Sequence, residues 1–320
     1  MTTCSVVVPV HNRAALTRQC LDTLLASPPA TVEVELLVVD DGSTDDTVET
    51  LESYGDRVRT VRHSRNTCFA VSCNDGAAAA TGEWLVLLNN DTLPQAGWLD
   101  ALLEYAAERD RIGMVGAKLL FPNDTIQHAG VVFSRDRHPH HLYAGFPASH
   151  PAVNRSRAFQ VVTAACALIR RELFEECGGF DSAFLNGYED VDLCLRLRSL
   201  GYENHYCHES VLYHLESATR DYALDPRNFR LFFDRWADRI EPDDFDYYLE
   251  DGLIEISYWE QFPALLRVSP QLAVLSRERR TATEKLLAER SHDLFEAQKE
   301  IIRLNLQRTL GPEPEAQVDP

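Results

Sequence analysis

Short apolar runs alternate with amphipathic stretches through the first hundred residues. Residues 4–8 (CSVVV) form a short, mostly apolar run that closes at Pro9, the pattern of a buried strand. Residues 14–26 place Leu16, Cys20, Leu21, Leu24 and Leu25 at helical spacing, and Pro28 and Pro29 stop the helix. A second apolar run, residues 35–39 (ELLVV), ends in Asp40, Asp41, Gly42, Ser43 and Thr44. Ser43 or Thr44 is expected to cap the next helix, with Asp45 and Asp46 favourable in its first turn. Residues 58–61 predict a third strand and residues 69–80 a helix of small residues ending at Gly82. Residues 84–88 (WLVLL) predict a fourth strand, ending in Asn89, Asn90, Asp91 and Thr92, and residues 97–109 an amphipathic helix. Buried strands alternating with helices predict an α/β fold with a mainly parallel central sheet and helices on both faces. In such sheets ligands bind beyond the carboxyl ends of the strands. Two of those ends are acidic here.

Beyond residue 112 the pattern is mixed. Residues 131–133 and 159–169 read as strands, the second one long, and residues 136–151 form an irregular stretch rich in His and Pro. A short helix at 171–177 closes at Gly178-Gly179. A loop then leads to a helix over 189–200, and 203–207 and 210–213 are the last strand-like pieces before His214. The expected organisation is one domain over 1–225 and a helical, aromatic-rich, acidic extension over 226–280. An amphipathic helix over 281–310 and a disordered tail at 311–320 follow. Leu287, Leu294 and Ile301 recur every seven residues. That repeat is too short to choose between a solvent-exposed or partner-packing helix and a short coil that makes a homodimer.

Composition narrows the function. Hydrophobic residues make up 45% and charged residues 25%, the balance of a globular chain. The net charge of −19 argues against nucleic acid as a partner, since phosphate backbones are held by Lys and Arg. Much of that charge is segregated: residues 241–260 carry eight acidic and no basic side chains. No apolar run approaches the roughly 18 residues of a membrane-spanning helix. The N-terminus lacks the pattern of a secretory signal, and eight scattered cysteines contain no CxxC pair. These features predict reduced thiols and a cytoplasmic protein, at most peripheral at the inner membrane face.

Four motifs carry the chemistry. VVVPVHNR, VVDDGSTDDT, LVLLNNDT and LNGYEDVDLCLRLR, in this order and spacing, resemble the family-2 glycosyltransferases. That family comprises inverting enzymes of the GT-A fold that use nucleotide sugars. The resemblance covers residues 4–220. The stretches IQHAGVVF and VVTAACALIRRELFEECGGFD resemble more narrowly the bacterial rhamnosyltransferase-like enzymes of cell-surface polysaccharide synthesis. The resemblance implies a nucleoside diphosphate sugar (UDP or dTDP) as donor and a hydroxyl of a glycan or lipid-linked acceptor. It assigns donor contacts to Pro9, His11, Asn12, Arg13, Asp40, Asp41, Asn66, Asn74, Asn89 and Asn90. It makes Asp91 and His214 ligands of Mn2+ or Mg2+, hard cations that suit oxygen donors and offset the charge of a leaving diphosphate. Asp190 is implied as the base that takes the acceptor hydroxyl's proton, with Glu189 beside it.

The sequence also departs from the family pattern. Asn89 stands where a carboxylate is usual, and Cys68 and Ala164 stand where glycines are. Residue types alone leave Asn89-Asn90-Asp91 open to a turn and Glu189-Asp190 to helix-start acids. Two other functions therefore remain to be weighed. One is a catalytically degenerate scaffold of the same fold. The other is a nucleotidyltransferase, against which the glycine-free PVHNR loop speaks.

Overall fold

The computed structural model describes residues 2–29, 31–215, 226–257, 265–270 and 272. The elements, in chain order, begin with β1 (Thr3–Val10), α1 (Ala14–Ala26), β2 (Glu33–Asp40), α2 (Thr47–Glu52), β3 (Arg59–Arg62), α3 (Phe69–Ala79) and β4 (Trp84–Leu88). They continue with β5 (Thr92–Pro94), α4 (Trp98–Ala107), β6 (Ile112–Leu120), β7 (Ile126–His128), β8 (Val131–Phe133), β9 (Pro139–His141) and β10 (Arg157–Phe159). Next come β11 (Cys166–Arg170), α5 (Arg171–Glu176), α6 (Glu189–Ser199), β12 (Glu203–His214), α7 (Pro226–Trp236) and α8 (Asp244–Glu250). β13 (Ile254–Ser257) and β14 (Leu265–Val268) end the described chain.

The central sheet runs β10-β12-β6-β11-β4-β1-β2-β3, with β5 added to β12 and β7 to β6. The strands β3, β2, β1 and β4 are parallel, as the alternation with helices predicts. β11 then enters antiparallel between β4 and β6, so the sheet as a whole is mixed. β6 and β12 are again parallel.

Successive residues on the buried strands face opposite cores. Val6, Val8, Val38, Val86 and Leu88 pack with Leu21, Leu24 and Leu51, and with Leu99 and Leu102 of α4. Val7, Leu37, Val39, Leu85 and Leu87 pack with Ala70, Cys73, Ala77, Leu193 and Phe232 on the other side. The small residues of α3 let it lie close on the sheet. A methyl group at Gly76 would stand 2.3 Å from Val7 Cγ1.

Several local expectations change. β1 runs through Pro9 to Val10, because pairing with β4 stops at Val7 and a residue lacking N–H is tolerated beyond it. Residues 159–169 are not one strand: β10 and β11 are separated, and residues 160–165 form an inward-facing loop. The two pieces expected at 203–213 are one strand, β12, bulged between Cys207 and Val211. Neither Ser43 nor Thr44 caps α2; the Asp45 carboxylate accepts from the Thr47 amide and hydroxyl instead. All eight cysteines are free thiols.

Two compact units divide at Tyr247 and Tyr248, so residues 226–247 belong with the first unit and not with a separate extension starting at 226. Phe232 and Trp236 explain this, since both are buried in that unit's core. Where helix is expected beyond α8, Ile254–Ser257 and Leu265–Val268 pair as antiparallel strands, the first with alternating Ile and polar residues. The helix expected over 281–310, its dimer alternative and the tail at 311–320 lie outside the described residues. Among the described residues no helix is long and apolar enough to cross a membrane.

Candidate active site

The fully buried β4 ends at Leu88, and Asn89, Asn90 and Asp91 form the turn into β5. The Thr92 hydroxyl closes this turn by donating to the Asn89 carbonyl at 2.7 Å. β5 pairs antiparallel with the end of β12 and sets Thr92 opposite His214. That register brings His214 Nε2 to 3.0 Å from Asp91 Oδ1, although 123 residues separate them in sequence. Asp91 is 4% exposed and His214 7%. The other ring nitrogen, Nδ1, donates to Gln127 Oε1 of β7 at 2.6 Å, which turns Nε2 toward the carboxylate. The Asn89 amide nitrogen points at the same Nε2 from 3.4 Å, and its Oδ1 is buried without a partner.

These groups fit a divalent cation. An imidazole nitrogen and a carboxylate oxygen face each other at 3.0 Å, held by outer partners, beside an orphaned amide oxygen. They supply only part of a coordination shell. Among the described residues no three His, Cys, Asp or Glu side chains converge for a metal, so the remaining positions fall to a ligand and water.

The second wall of the pocket is the start of α6. Glu189 and Asp190 line the same cleft as Asn89, Asp91 and His214. Glu189 is 3% exposed and accepts from the Gly187 amide at 2.5 Å. Asp190 Oδ2 accepts from the Ala164 amide at 3.1 Å, so residues 160–165 and the head of α6 are tied. His128 supports that loop from beneath. Its Nδ1 donates to the Ala117 carbonyl and its Nε2 accepts from the Thr163 amide at 3.3 Å. Burial, and next the neighbouring His141, push the His128 pKa down to about 3, which keeps the ring neutral and that pattern fixed.

The ends of β1 and β2 are joined by the residues expected to hold the donor. Asn12 Oδ1 accepts from the Thr44 and Asp45 amides, and its own amide donates to Ser43 Oγ at 2.7 Å. His11 Nδ1 binds the Asp41 carbonyl at 2.8 Å, and Arg13 is exposed in a left-handed conformation. Pro9 is buried within β1. Asp40 accepts from the Ser43 amide, and Asn66 Oδ1 accepts from the Cys68 amide. Asp41 is committed to its own protein: His63 Nδ1, the Thr67 amide and hydroxyl, and the Cys68 amide all meet its carboxylate. Burial raises the Asp41 pKa, but these hydrogen bonds outweigh it and hold the carboxyl below its ordinary value.

Of the residues expected to contact the donor, Asn89 lines the cleft with Asp91 and His214, and two others are taken up elsewhere by the protein itself. Asn74 spends both ends of its amide on the Phe180 backbone, at 2.8 Å each. Asn90 donates to Thr17 Oγ1 of α1. Asp192, on a face of α6, is fully buried among Arg196, Arg235 and Trp236. Cys68 adopts φ 100°, a region that favours glycine, which is the residue the family pattern places there. Gln127 and His128 lie on β7, which pairs with β6, and His141 lies on β9, which pairs with β8; no local motif in the sequence marks the three for this site.

Fold and site together define a glycosyltransferase of the GT-A class. GalNAc-T7, solved with UDP, GalNAc and Mn2+, superimposes with a TM-score of 0.59 at 18% identity, over 72% of this chain and 48% of that one. A mannosyltransferase from Pyrobaculum calidifontis, solved with GDP-Man and Mn2+, gives 0.55 at 21% identity, over 78% and 68%. The model of glycosyl transferase family 2 matches residues 5–178, and the chain belongs to that family. The O-antigen biosynthesis protein RfbC of Myxococcus xanthus is 34% identical over 76% of this chain. The N-acetylglucosaminyl-diphospho-decaprenol L-rhamnosyltransferase of Mycobacterium tuberculosis is 27% identical over 62% of this chain and 73% of its own length. The chain spans only 20% of RfbC and 28% of a Sinorhizobium fredii protein that is also 34% identical.

Proposed function

We propose that this chain transfers a sugar, with inversion, from a UDP- or dTDP-sugar to a hydroxyl of a glycan or lipid-linked acceptor in cell-surface polysaccharide synthesis. The observation that carries the reading is convergence. Asp91 and His214, 123 residues apart, share one cleft with Glu189 and Asp190. The relatives involved in O-antigen synthesis and rhamnosyl transfer support the substrate class.

In this mechanism the ends of β1 and β2 frame the nucleoside. Asn12 and Asp41 act by fixing the loops, with Asp41 organising residues 63–68. Asp91 and His214 would hold Mn2+ or Mg2+, which supplies positive charge for the departing diphosphate. Asp190, held by the Ala164 amide, takes the acceptor hydroxyl's proton as that oxygen bonds to the anomeric carbon. The bond from that carbon to the diphosphate breaks on the opposite face, and the nucleoside diphosphate leaves with the electron pair. Glu189 fixes the preceding turn through Gly187. The protein would work in the cytoplasm, against an acceptor at the inner membrane face.

A thermal-shift screen of UDP- and dTDP-sugars with manganese tests this reading, because a matched donor stabilises the fold in proportion to ln(1 + [L]/Kd). At least one donor should raise the Tm, and EDTA should abolish the shift. No shift with any donor would overturn the donor class, and a shift indifferent to EDTA would overturn the metal.

A further inference from the structure

The segment that delivers Glu189 and Asp190 to the cleft has an unusual backbone. Asn186, Gly187 and Tyr188 have φ of 58°, 144° and 72°, three positive values in succession. Two of the three carry side chains, for which this region is disfavoured. Such a loop persists only where its surroundings fix it, and these surroundings are specific.

Asn228, in the first turns of α7, is 3% exposed and makes three hydrogen bonds, all to this loop. Its Oδ1 accepts from the Leu185 amide at 3.0 Å, and its Nδ2 donates to the Leu185 carbonyl at 2.8 Å and the Gly187 carbonyl at 3.1 Å. An amide side chain supplies an acceptor oxygen and two N–H donors, matching the three contacts made here. From the opposite side, Asn186 Oδ1 accepts from the Phe69 amide at 3.1 Å. Helix α7 is itself anchored. Trp236 Nε1 and Arg235 donate to Asp192 of α6 at 2.9 and 2.6 Å, Arg235 also reaches Asp181 at 2.8 Å, and Phe232 packs against Tyr188 with ring centres 5.0 Å apart.

We infer that Asn228 is a positioning residue for the reaction: through α7 it holds residues 185–188 in their strained form and so sets where the Asp190 carboxylate stands. It touches neither donor nor acceptor and lies outside the motifs by which the chain resembles its family. This inference rests on the glycosyltransferase reading with Asp190 as base. Under it, loss of Asn228 displaces the carboxylate while Asp91, in the turn before β5, and His214, at the end of β12, keep their places.

The test compares full-length wild type, Asn228→Ala, Asn228→Ser and Asp190→Asn. Turnover is read as nucleoside diphosphate released from UDP-glucose, UDP-galactose and dTDP-L-rhamnose with manganese. Affinity is read from UDP and dTDP titrations with manganese, and loop order from hydrogen exchange of amides 185–191. Asn228→Ala should lower turnover about 100-fold, as expected for a catalytic group displaced by about 1 Å. Nucleotide affinity should change less than about threefold, and exchange should quicken at 185–191 alone. Asn228→Ser keeps one hydrogen-bonding group and should fall between, which also serves if the alanine variant does not fold. Wild-type turnover in Asn228→Ala beside an inactive Asp190→Asn overturns the inference and leaves the site reading standing. Parallel loss of affinity and turnover overturns it too, in favour of a general structural role. An active Asp190→Asn removes the base assignment itself.

Discussion

The half of the sheet built from β1 to β4 and the half built around β6, β11 and β12 reach the same cleft by different means. In the first, parallel strands end in a row and the polar residues of one strand end bind the backbone of the next. Asn12 holds Thr44 and Asp45, and Asp41 holds Thr67 and Cys68. In the second, strands reverse and cross, and each chemical group is held by a partner outside the motif that carries it. His214 meets Asp91 and Gln127, Asp190 meets Ala164, and residues 185–187 meet Asn228. The first half is a frame made by its own motifs. The second is an assembly whose precision depends on long-range contacts, so single substitutions there should cost catalysis before they cost stability.

The sharpest break in this contrast is Asp190→Asn, which keeps the shape of the side chain and removes the base. Turnover should fall about 1,000-fold or more, with the melting temperature little changed. A variant within tenfold of wild type would move the base elsewhere. Next is Gln127→Ala, which frees Nδ1 of His214 without touching the cleft's carboxylates. Loss of such an outer partner should weaken manganese-dependent nucleotide binding by about 10–100-fold, read by titration with UDP or dTDP. Unchanged binding would show that Gln127 does not hold the ring.

Smaller effects belong to the frame. Asp41→Ala leaves the Thr67 and Cys68 amides without their acceptor and should cost about 3 kcal/mol in denaturant unfolding at pH 7. Folding lowers the Asp41 pKa, so its contribution is fully present above the ordinary value of 3.8 and fades as the pH drops through the folded value. Wild type and variant should therefore converge in stability in acid; a constant difference down to pH 2 would contradict this. Smallest is Cys68. Glycine there relieves the φ of 100° but gives up a buried thiol, so stability should stay within about 1 kcal/mol. Valine should cost about 2 kcal/mol or more, and equal stabilities for the two would refute the strain.

The same division explains what the sequence could show. Apolar runs and terminal acids sufficed to anticipate β1 to β4, and the motifs brought Asp91, His214, Glu189 and Asp190 forward as candidates for one site. Each of those signals lies within a few neighbouring residues. The breaks in the expectation fall where tertiary contacts decide. Thr163-Ala164-Ala165 reads as strand because it is apolar, yet its amides serve Asp190 and His128. Asp192 is buried against Arg235, 43 residues away, a partner that nothing in its own stretch announces. Asn228 reads as an ordinary polar helix residue, since nothing near it announces a loop 41 residues earlier.

The most direct measurement is a calorimetric titration of UDP and dTDP, with manganese, into wild type, Asp91→Asn and Asp190→Asn. The two walls of the cleft should separate. Asp91→Asn should lose most of the metal-dependent affinity, and Asp190→Asn should bind as wild type while failing to turn over. If Asp91→Asn binds as tightly as wild type, or if Asp190→Asn loses binding in step with turnover, the division of the cleft into a metal side and a base side is wrong.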